Sequence, residues 1–170
     1  MINPLQVVVD VAREELGTLE DPNHPNQGKA IRKYKEHTEL NPDDAWPWCA
    51  AFVSFVVAEA DERSETISLP VPPRLARAFD FEDWGQKRAL VFYPDDAHYQ
   101  PAAGDIVVFN FSHVGIVEVP VINGKVISID GNTNEVGSRE GDGVYRKKRA
   151  IDLVKCFVRL PARAKIASES

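Results

Sequence analysis

The chain changes its hydrophobic pattern near the middle, and this change limits the available folds more than any other feature. In the first half, apolar residues recur at helical spacing, as Leu5, Val8 and Ala12 do before the helix-stopping Gly17. In the second half, β-branched and aromatic residues come in short bursts separated by Gly, Asn, Asp and Pro. Helices followed by an antiparallel sheet indicate an α+β fold in which the helices pack on one face of the sheet.

Four helices and a sheet of about five strands are predicted. The most apolar helix follows Cys49, with Pro47 placed ahead of it as a helix start. Asn123-Gly124 is a strong hairpin signal between two of the strands. The predicted helices are 4–16, a short one around Ile31 and Tyr34, 49–58, and a short one through Leu75 and Phe79 to about Gly85; the predicted strands are 105–109, 113–119, 125–129, 144–148 and 154–160.

Length and charge narrow the possibilities further. With 170 residues, 44% of them apolar, we expect a single domain over 1–162 and a disordered tail over 163–170. The net charge of -6 leaves no basic surplus for phosphates, which argues against a nucleic-acid partner. The one basic run, 146–149, is interpreted as a solvated strand face or loop.

Targeting signals are not evident in the sequence. Residues 1–5 lack the basic and apolar stretches of a signal peptide, and no segment is apolar for long enough to cross a bilayer. We therefore expect a soluble protein made in the cytoplasm, without membrane insertion. If its substrate lies outside the cytoplasm, other machinery must carry the protein to the periplasm or cell wall.

The two cysteines stand in different contexts. Cys156 lies in the apolar run 153–160, where a buried thiol behaves as a small hydrophobic side chain. Cys49 lies at the first turn of an apolar helix, where the helix dipole favours a thiolate and free backbone N–H groups can stabilise an oxyanion. Taken alone, Cys49 would be interpreted as a core residue; a suitably placed base would make it a nucleophile.

His113 is the candidate base. It opens a predicted strand, from which its imidazole can project toward a neighbouring helix terminus. The other histidines lie in polar loops or at helix ends and are interpreted as surface residues; they are His24, His37 and His98.

A catalytic imidazole also needs a group that fixes its tautomer and ring plane. In a hairpin closed by Asn123-Gly124, the start of one strand lies beside the end of the next, so His113 and Asp130 fall at the same end of the sheet. Asn132 extends just beyond and is the second candidate. The segment from Asp130 to Asn132 could equally be an ordinary turn.

These segments together resemble the cysteine, histidine-dependent amidohydrolase/peptidase (CHAP) domains. The resemblance implies a papain-like α+β fold, cleavage of an amide bond in peptidoglycan, and no cofactor. That bond would lie between muramic acid and L-alanine, or within the stem peptide and its cross-bridges. The segments that carry the resemblance are Trp48–Val53, Pro101–Phe109, His113–Val117 and Asp130–Thr133.

By the same resemblance, Cys49 is the nucleophile, His113 the base, Asp130 the acidic group that orients the base, and Asn132 an auxiliary polar residue. Many relatives have glutamate where this chain has Asp130, so either Asp130 or Asn132 could orient His113. Some relatives bind calcium upstream of the cysteine. Asp43-Asp44 offers too few oxygen ligands for such a site, and we predict no metal.

Two other functions use the same residues or the same fold. A cysteine protease or deamidase acting on a protein would need the same three side chains, whereas a wall-binding module would need none of them. Relatives occur as phage lysins, injected toxins and housekeeping enzymes. The net acidity disfavours unaided adsorption to an anionic wall, which favours a delivered protein, either an antibacterial effector or a phage component. If it is an effector, an immunity protein that blocks the cleft at Cys49 is an expected partner.

Overall fold

The computed structural model describes residues 3–70 and 73–166, and within them it has the predicted α+β architecture. All four predicted helices are confirmed. The last begins later than predicted, at Asp80, where three acidic side chains in its first turn suit the positive end of the helix dipole. The helices are α1 (Gln6–Glu14), α2 (Lys29–Lys35), α3 (Cys49–Arg63) and α4 (Asp80–Gln86).

The main sheet is antiparallel and contains six strands in the order β2-β7-β3-β4-β5-β6. All five predicted strands are present. The sixth is an edge strand of two residues that pairs with the end of β7, and so short a strand carries no alternation in the sequence. The strands are β1 (Ile67–Ser68), β2 (Val91–Phe92), β3 (Ile106–Phe109), β4 (His113–Ile122), β5 (Lys125–Thr133), β6 (Gly143–Ala150), β7 (Val154–Val158) and β8 (Arg163–Ala164).

The C-terminal boundary differs from the prediction of a disordered tail from residue 163. Arg163 and Ala164 form β8, which pairs with Ser68 and Ile67 of β1 in a separate two-stranded sheet. The chain thus continues in regular structure past residue 162. Residues 167–170 of the predicted tail lie outside the described residues.

The hairpin between β4 and β5 is confirmed. Asn123 and Gly124 both have positive φ, 51° and 70°, as a two-residue type I′ turn requires, and Ile122 pairs with Lys125 across it. Farther from the turn, Ile116 pairs with Ile129. This register brings the start of β4 beside the end of β5.

Helix α3 packs across β4 and β5, and the larger core fills the space between the helices and this face of the sheet. Its close approach depends on Gly131, where an added Cβ would lie 2.7 Å from atoms of Phe52 and of Trp48. A smaller core, which includes Val107, Phe109 and Phe157, covers the other face. Within the described ranges, no helix is long and apolar enough to cross a membrane.

Candidate active site

Cys49 lies at the N-terminus of α3, as the sequence predicts. It is the first residue of the helix and is 7% exposed. The preceding Trp48 is fully buried and donates its indole N–H to Glu20 at 2.7 Å. Because the first N–H groups of a helix lack intrahelical acceptors, the backbone at Cys49 offers hydrogen-bond donors beside the thiol.

A tight connection holds His113 at the start of β4. Residues 110–112 join β3 to β4, and Ser112 has a left-handed conformation with φ of 59°. Three-residue hairpin loops commonly end in a residue of this conformation. The imidazole is fully buried and stacks on Phe111, with the ring centroids 5.7 Å apart and an angle of 11° between the planes. The connection and the stacking together fix the plane of the ring.

The two nitrogens of His113 differ in their surroundings. Nε2 lies 3.2 Å from Oδ2 of Asp130, a fully buried carboxylate on β5. Nδ1 is buried without a hydrogen-bond partner among the described residues. Since Nε2 is engaged by the carboxylate, Nδ1 is the nitrogen that can exchange a proton with a neighbouring thiol.

Asp130 fits against His113 because β4 has no side chain beneath the carboxylate. The pairing of Ile116 with Ile129 puts Gly115 directly across from Asp130. A Cβ added to Gly115 would collide with Oδ1 of Asp130, well inside van der Waals contact. The absence of a side chain at position 115 is therefore a requirement of the buried pair.

Arg149 on β6 extends this buried group. Its Nε and Nη2 donate to Oδ2 of Asp130 at 3.1 and 3.0 Å, and its Nη1 donates to the carbonyl of Gly137 at 2.9 Å. The guanidinium lies 5.2 Å from the ring centroids of both Phe109 and Phe111, within the range of a cation–π contact. Asp130 thus contacts a histidine and an arginine through the same oxygen, Oδ2.

The interpretation of 146–149 as a solvated basic run is wrong for Arg149, which is 8% exposed. Side chains of a strand alternate between its faces, and in β6 Arg146 and Lys148 are exposed while Arg149, on the opposite face, is buried. The predicted strand 144–148 stops one residue short of Arg149, so it does not place this side chain on either face of the sheet. What the sequence alone does not provide is the register that pairs Val126 with Arg149 and turns this guanidinium toward Asp130.

The charges in this group are set by their mutual contacts. Burial alone would lower the pKa of His113, but the hydrogen bond to Asp130 and the contact with the Cys49 thiol raise it from 6.5 to about 9. Burial would raise the pKa of Asp130, but the hydrogen bond to His113 and the charges of His113 and Arg149 hold it below its ordinary value. At neutral pH the pair is therefore an imidazolium and a carboxylate.

Asn132 makes no hydrogen bond to His113 in the described structure. It has a positive φ of 55°, a conformation that asparagine tolerates better than most residues. In the amide orientation that satisfies its hydrogen bonds, its oxygen accepts from the backbone N–H of Trp48 at 3.2 Å. Its nitrogen donates to the carbonyl of Gly141 at 3.0 Å and to Oδ1 of Asn26 at 3.3 Å. Asn132 therefore connects the end of β5 to the residue before the thiol, while Asp130 contacts the imidazole.

Lys35 supports the segment that leads to Cys49, a role that no pattern in the sequence indicates. It is fully buried at the end of α2, and its Nζ donates to the carbonyls of Asn26 and Asp44 at 2.7 and 2.6 Å. The ammonium also lies 4.6 Å from the ring centroid of Trp46. Burial lowers the pKa of Lys35, against the opposing charges of nearby acids. One buried cation thus joins two loops of the helical half.

The sequence leaves Asp43 and Asp44 open as loop acids or helix-start charges, and the structure places both in the loop between α2 and α3. Asp43 forms an ion pair with Arg32, and the side chain of Asp44 accepts from Asn41 at 3.3 Å. Among the described residues, no group of three or more His, Cys, Asp and Glu side chains is placed to hold a metal ion.

Cys156 and the other histidines lie apart from these contacts. Cys156 is fully buried in β7, and burial raises the pKa of its thiol to about 12. His24 is exposed and faces Asp21, while His37 contacts the carbonyl of Lys33. The interpretation of Cys156 as a core residue in a strand is confirmed.

A cleft of about 520 Å³ opens at Cys49. Apolar side chains form much of its lining: Trp46 and Pro47 precede the thiol, while Leu40 and Phe79 lie at the rim, 45% and 40% exposed. The polar lining consists of Ser112, Arg77, Arg139 and Asp80.

A thiol at a helix N-terminus, beside an imidazole held by a buried carboxylate, is the arrangement of a cysteine hydrolase. The family model of the CHAP domain matches residues 41–132, a stretch that contains Cys49, His113, Asp130 and Asn132 but ends before Arg149. This chain belongs to the CHAP domain family, whose members are cysteine- and histidine-dependent amidohydrolases and peptidases. Searches of curated proteins and of solved structures found no match.

Proposed function

We propose that the protein hydrolyses an amide bond of peptidoglycan, with Cys49 as nucleophile, His113 as acid and base, and Asp130 as the group that orients His113. The observation that carries the proposal is that the two nitrogens of the buried His113 imidazole have different surroundings. Its Nε2 is held by Asp130, while its Nδ1 is left for the thiol. Membership of the CHAP family supports peptidoglycan as the substrate class.

The charge state of His113 determines the order of proton transfers. With a pKa near 9, the His113 ring is protonated at neutral pH, so it enters the reaction able to donate a proton. The thiolate of Cys49 attacks the carbonyl carbon, and His113 then donates its proton to the departing amine nitrogen as the C–N bond breaks. The products of this half-reaction are a free amine and a thioester on Cys49.

The second half-reaction restores the enzyme. Neutral His113 takes a proton from water, and the resulting hydroxide attacks the thioester carbonyl. The C–S bond breaks, the carboxylic acid leaves, and the thiolate–imidazolium pair forms again. In both halves, the free N–H groups at the start of α3 stabilise the negative oxygen of the tetrahedral intermediate.

The decisive experiment is mass spectrometry of muropeptides after digestion of purified peptidoglycan by the wild type and by Cys49→Ala. We expect new products with the wild type and none with Cys49→Ala, since the thioester cannot form. Cys156→Ala is the matched control and should retain activity, because that thiol is buried and protonated. Identical product profiles for the wild type and Cys49→Ala would contradict the proposal.

The same spectra identify the bond. New N-terminal alanine would indicate an N-acetylmuramoyl-L-alanine amidase, and new diaminopimelate or lysine termini would indicate an endopeptidase of the stem peptide or cross-bridge. Turnover of a protein substrate with no muropeptide product would instead favour a cysteine protease or deamidase.

The site of action is a further part of the proposal. We infer that the protein is delivered to the cell wall, as an antibacterial effector or a phage component. The net charge of -6 supports this, because an acidic protein adsorbs poorly to an anionic wall on its own. An immunity protein would then be expected to block the cleft at Cys49, and release of activity by removal of such a partner is the corresponding test.

A further inference from the structure

The cleft at Cys49 has a local charge opposite to that of the whole chain. Arg77 and Arg139 both line it, together with the single carboxylate of Asp80. The chain as a whole carries a net charge of -6. Two cations against one anion beside the nucleophile therefore form a positive region on an acidic protein.

The two arginines are available to a ligand. Both are exposed, and the guanidinium of Arg77 makes no hydrogen bond or ion pair with another described residue. Arg139 has only a contact of 4.0 Å with its neighbour Glu140, at the outer limit of an ion pair, where both side chains are more than half exposed. Such a contact contributes little, so it leaves the guanidinium free to bind another carboxylate.

The arginines also come from separate parts of the chain. Arg77 lies between α3 and α4, and Arg139 lies between β5 and β6. Both segments meet Cys49 at the same cleft, so a molecule seated over the thiol can contact both. A planar guanidinium presents paired N–H donors that match the two oxygens of a carboxylate, which gives a bound carboxylate a defined orientation.

The geometry points to Arg77 and Arg139 as a recognition site for a free carboxylate of the substrate, close to the bond that Cys49 attacks. The substrate class is thus an anionic peptide, and a stem peptide with unamidated carboxylates is preferred to its amidated form. This inference rests on the proposed function for the identity of the peptide, but the positive cleft itself can be tested without peptidoglycan.

Alkylation of Cys49 provides that test, because iodoacetate is anionic and iodoacetamide is neutral but otherwise similar. The rate with iodoacetate divided by the rate with iodoacetamide measures the electrostatic potential at the thiol. We expect Arg77→Gln and Arg139→Gln each to lower this ratio about two- to threefold in dilute buffer, and Asp80→Asn to raise it. Added salt should reduce these differences through screening. Cys49→Ala supplies the background rate.

Arg88→Gln is the matched control. It removes the same charge with the same substitution from an exposed arginine that follows the C-terminal end of α4 and does not line the cleft. If Arg77→Gln and Arg139→Gln both give the same ratio as Arg88→Gln, the inference is overturned.

Hydrolysis of paired stem peptides then tests the substrate class. We expect the wild type to prefer the carboxylate form, and kcat/KM for that form to fall about tenfold in Arg77→Gln or Arg139→Gln, with little change for the amidated form. An equal loss on both forms would contradict carboxylate recognition. No hydrolysis of either form by the wild type, with the alkylation ratios as expected, would contradict the proposed function and leave the positive cleft established.

Discussion

At the scale of single residues, the site consists of a negative carboxylate, Asp130, in contact with two positive groups, the imidazolium of His113 and the guanidinium of Arg149. The carboxylate binds a histidine and an arginine at once, both through Oδ2, in a place that water does not reach. Burying an ion is costly unless it is paired, and removal of one partner commonly costs about 3–5 kcal/mol. His113 and Arg149 therefore stabilise the carboxylate that in turn keeps His113 protonated.

Replacement of Asp130 by asparagine should move the alkaline limit of activity. In the wild type, activity is expected to fall as pH rises through about 9, because His113 loses the proton that, in the proposed mechanism, it donates to the leaving amine. The amide introduced by Asp130→Asn would carry no charge, so the pKa of His113 should fall. The alkaline limb of the profile of kcat/KM against pH should then shift to lower pH by about one unit or more.

The control for this profile is Asp83→Asn, which removes an exposed carboxylate from α4. Its alkaline limb should coincide with that of the wild type. Because Asp130→Asn leaves Arg149 without its carboxylate, a double variant with Arg149→Met should be measured as well. If the alkaline limb were unchanged in Asp130→Asn and in the double variant, Asp130 would not set the protonation of His113.

Much of this group was predictable from the sequence, but not all of it. Cys49, His113 and Asp130 follow from a helix start, a strand start and a two-residue hairpin turn, which are local signals. Arg149 could not be assigned in this way, because its role depends on the register of β6 against β5. The choice between Asp130 and Asn132 is also not local: the left-handed conformation of Asn132 accompanies an amide bonded to Trp48 instead of the imidazole.

At the scale of elements, the segment between α2 and α3 positions Cys49 without forming regular structure. Its carbonyl at Asp44 and its ring at Trp46 both face the ammonium of Lys35, and Trp46 also lines the cleft. This segment is held in place by side-chain contacts, because it lacks the regular backbone hydrogen bonds of a helix or a sheet.

Lys35→Met should loosen this segment. Methionine keeps the apolar stem but leaves the carbonyls of Asn26 and Asp44 without their donor, and each unsatisfied buried group costs about 1–3 kcal/mol. We expect a lower free energy of unfolding, faster amide hydrogen exchange over residues 36–48, and a lower kcat. Lys29→Met, an exposed change on the same helix, should alter none of the three. Unchanged exchange over 36–48 in Lys35→Met would contradict this role.

The longer helices and strands could be predicted from the sequence, whereas the shortest strands could not. The strands β3 to β7 each contain enough apolar or β-branched residues to be recognised, whereas β2 and β8 have two residues each and exist only through their partners. The late start of α4 has a similar explanation. Phe79 has helical dihedral angles but precedes the helix, so composition alone could not place the boundary.

At the scale of the whole molecule, the site joins the two cores. Helix α3 delivers Cys49 from the larger core, while Phe109, part of the smaller core on the other face of the sheet, contacts Arg149. The buried imidazole lies where these two parts meet. Its ionisation should therefore be coupled to global unfolding.

The free energy of unfolding should depend on pH through His113. Its pKa is raised from 6.5 to about 9 in the folded state, so the stabilisation is complete below about pH 6.5 and is lost as pH rises through about 9. The full effect is about 3 kcal/mol. Urea unfolding at pH 6, 8 and 10 should show this decline in the wild type, and His113→Gln should lack it. If the free energy of unfolding changed with pH by the same amount in the wild type and in His113→Gln, ionisation of His113 would not be coupled to unfolding.

The different burial of the two thiols has a consequence for redox chemistry. Cys156 is sealed in β7 with a pKa of about 12, while Cys49 borders an open cleft beside an imidazolium. Oxidants react with thiolates that they can reach, so peroxide should convert Cys49 to sulfenic acid and leave Cys156 reduced. In an oxidising compartment, a thiol reductant would then determine how long the protein stays active, because no second accessible thiol is present in its sequence to form a protective disulfide.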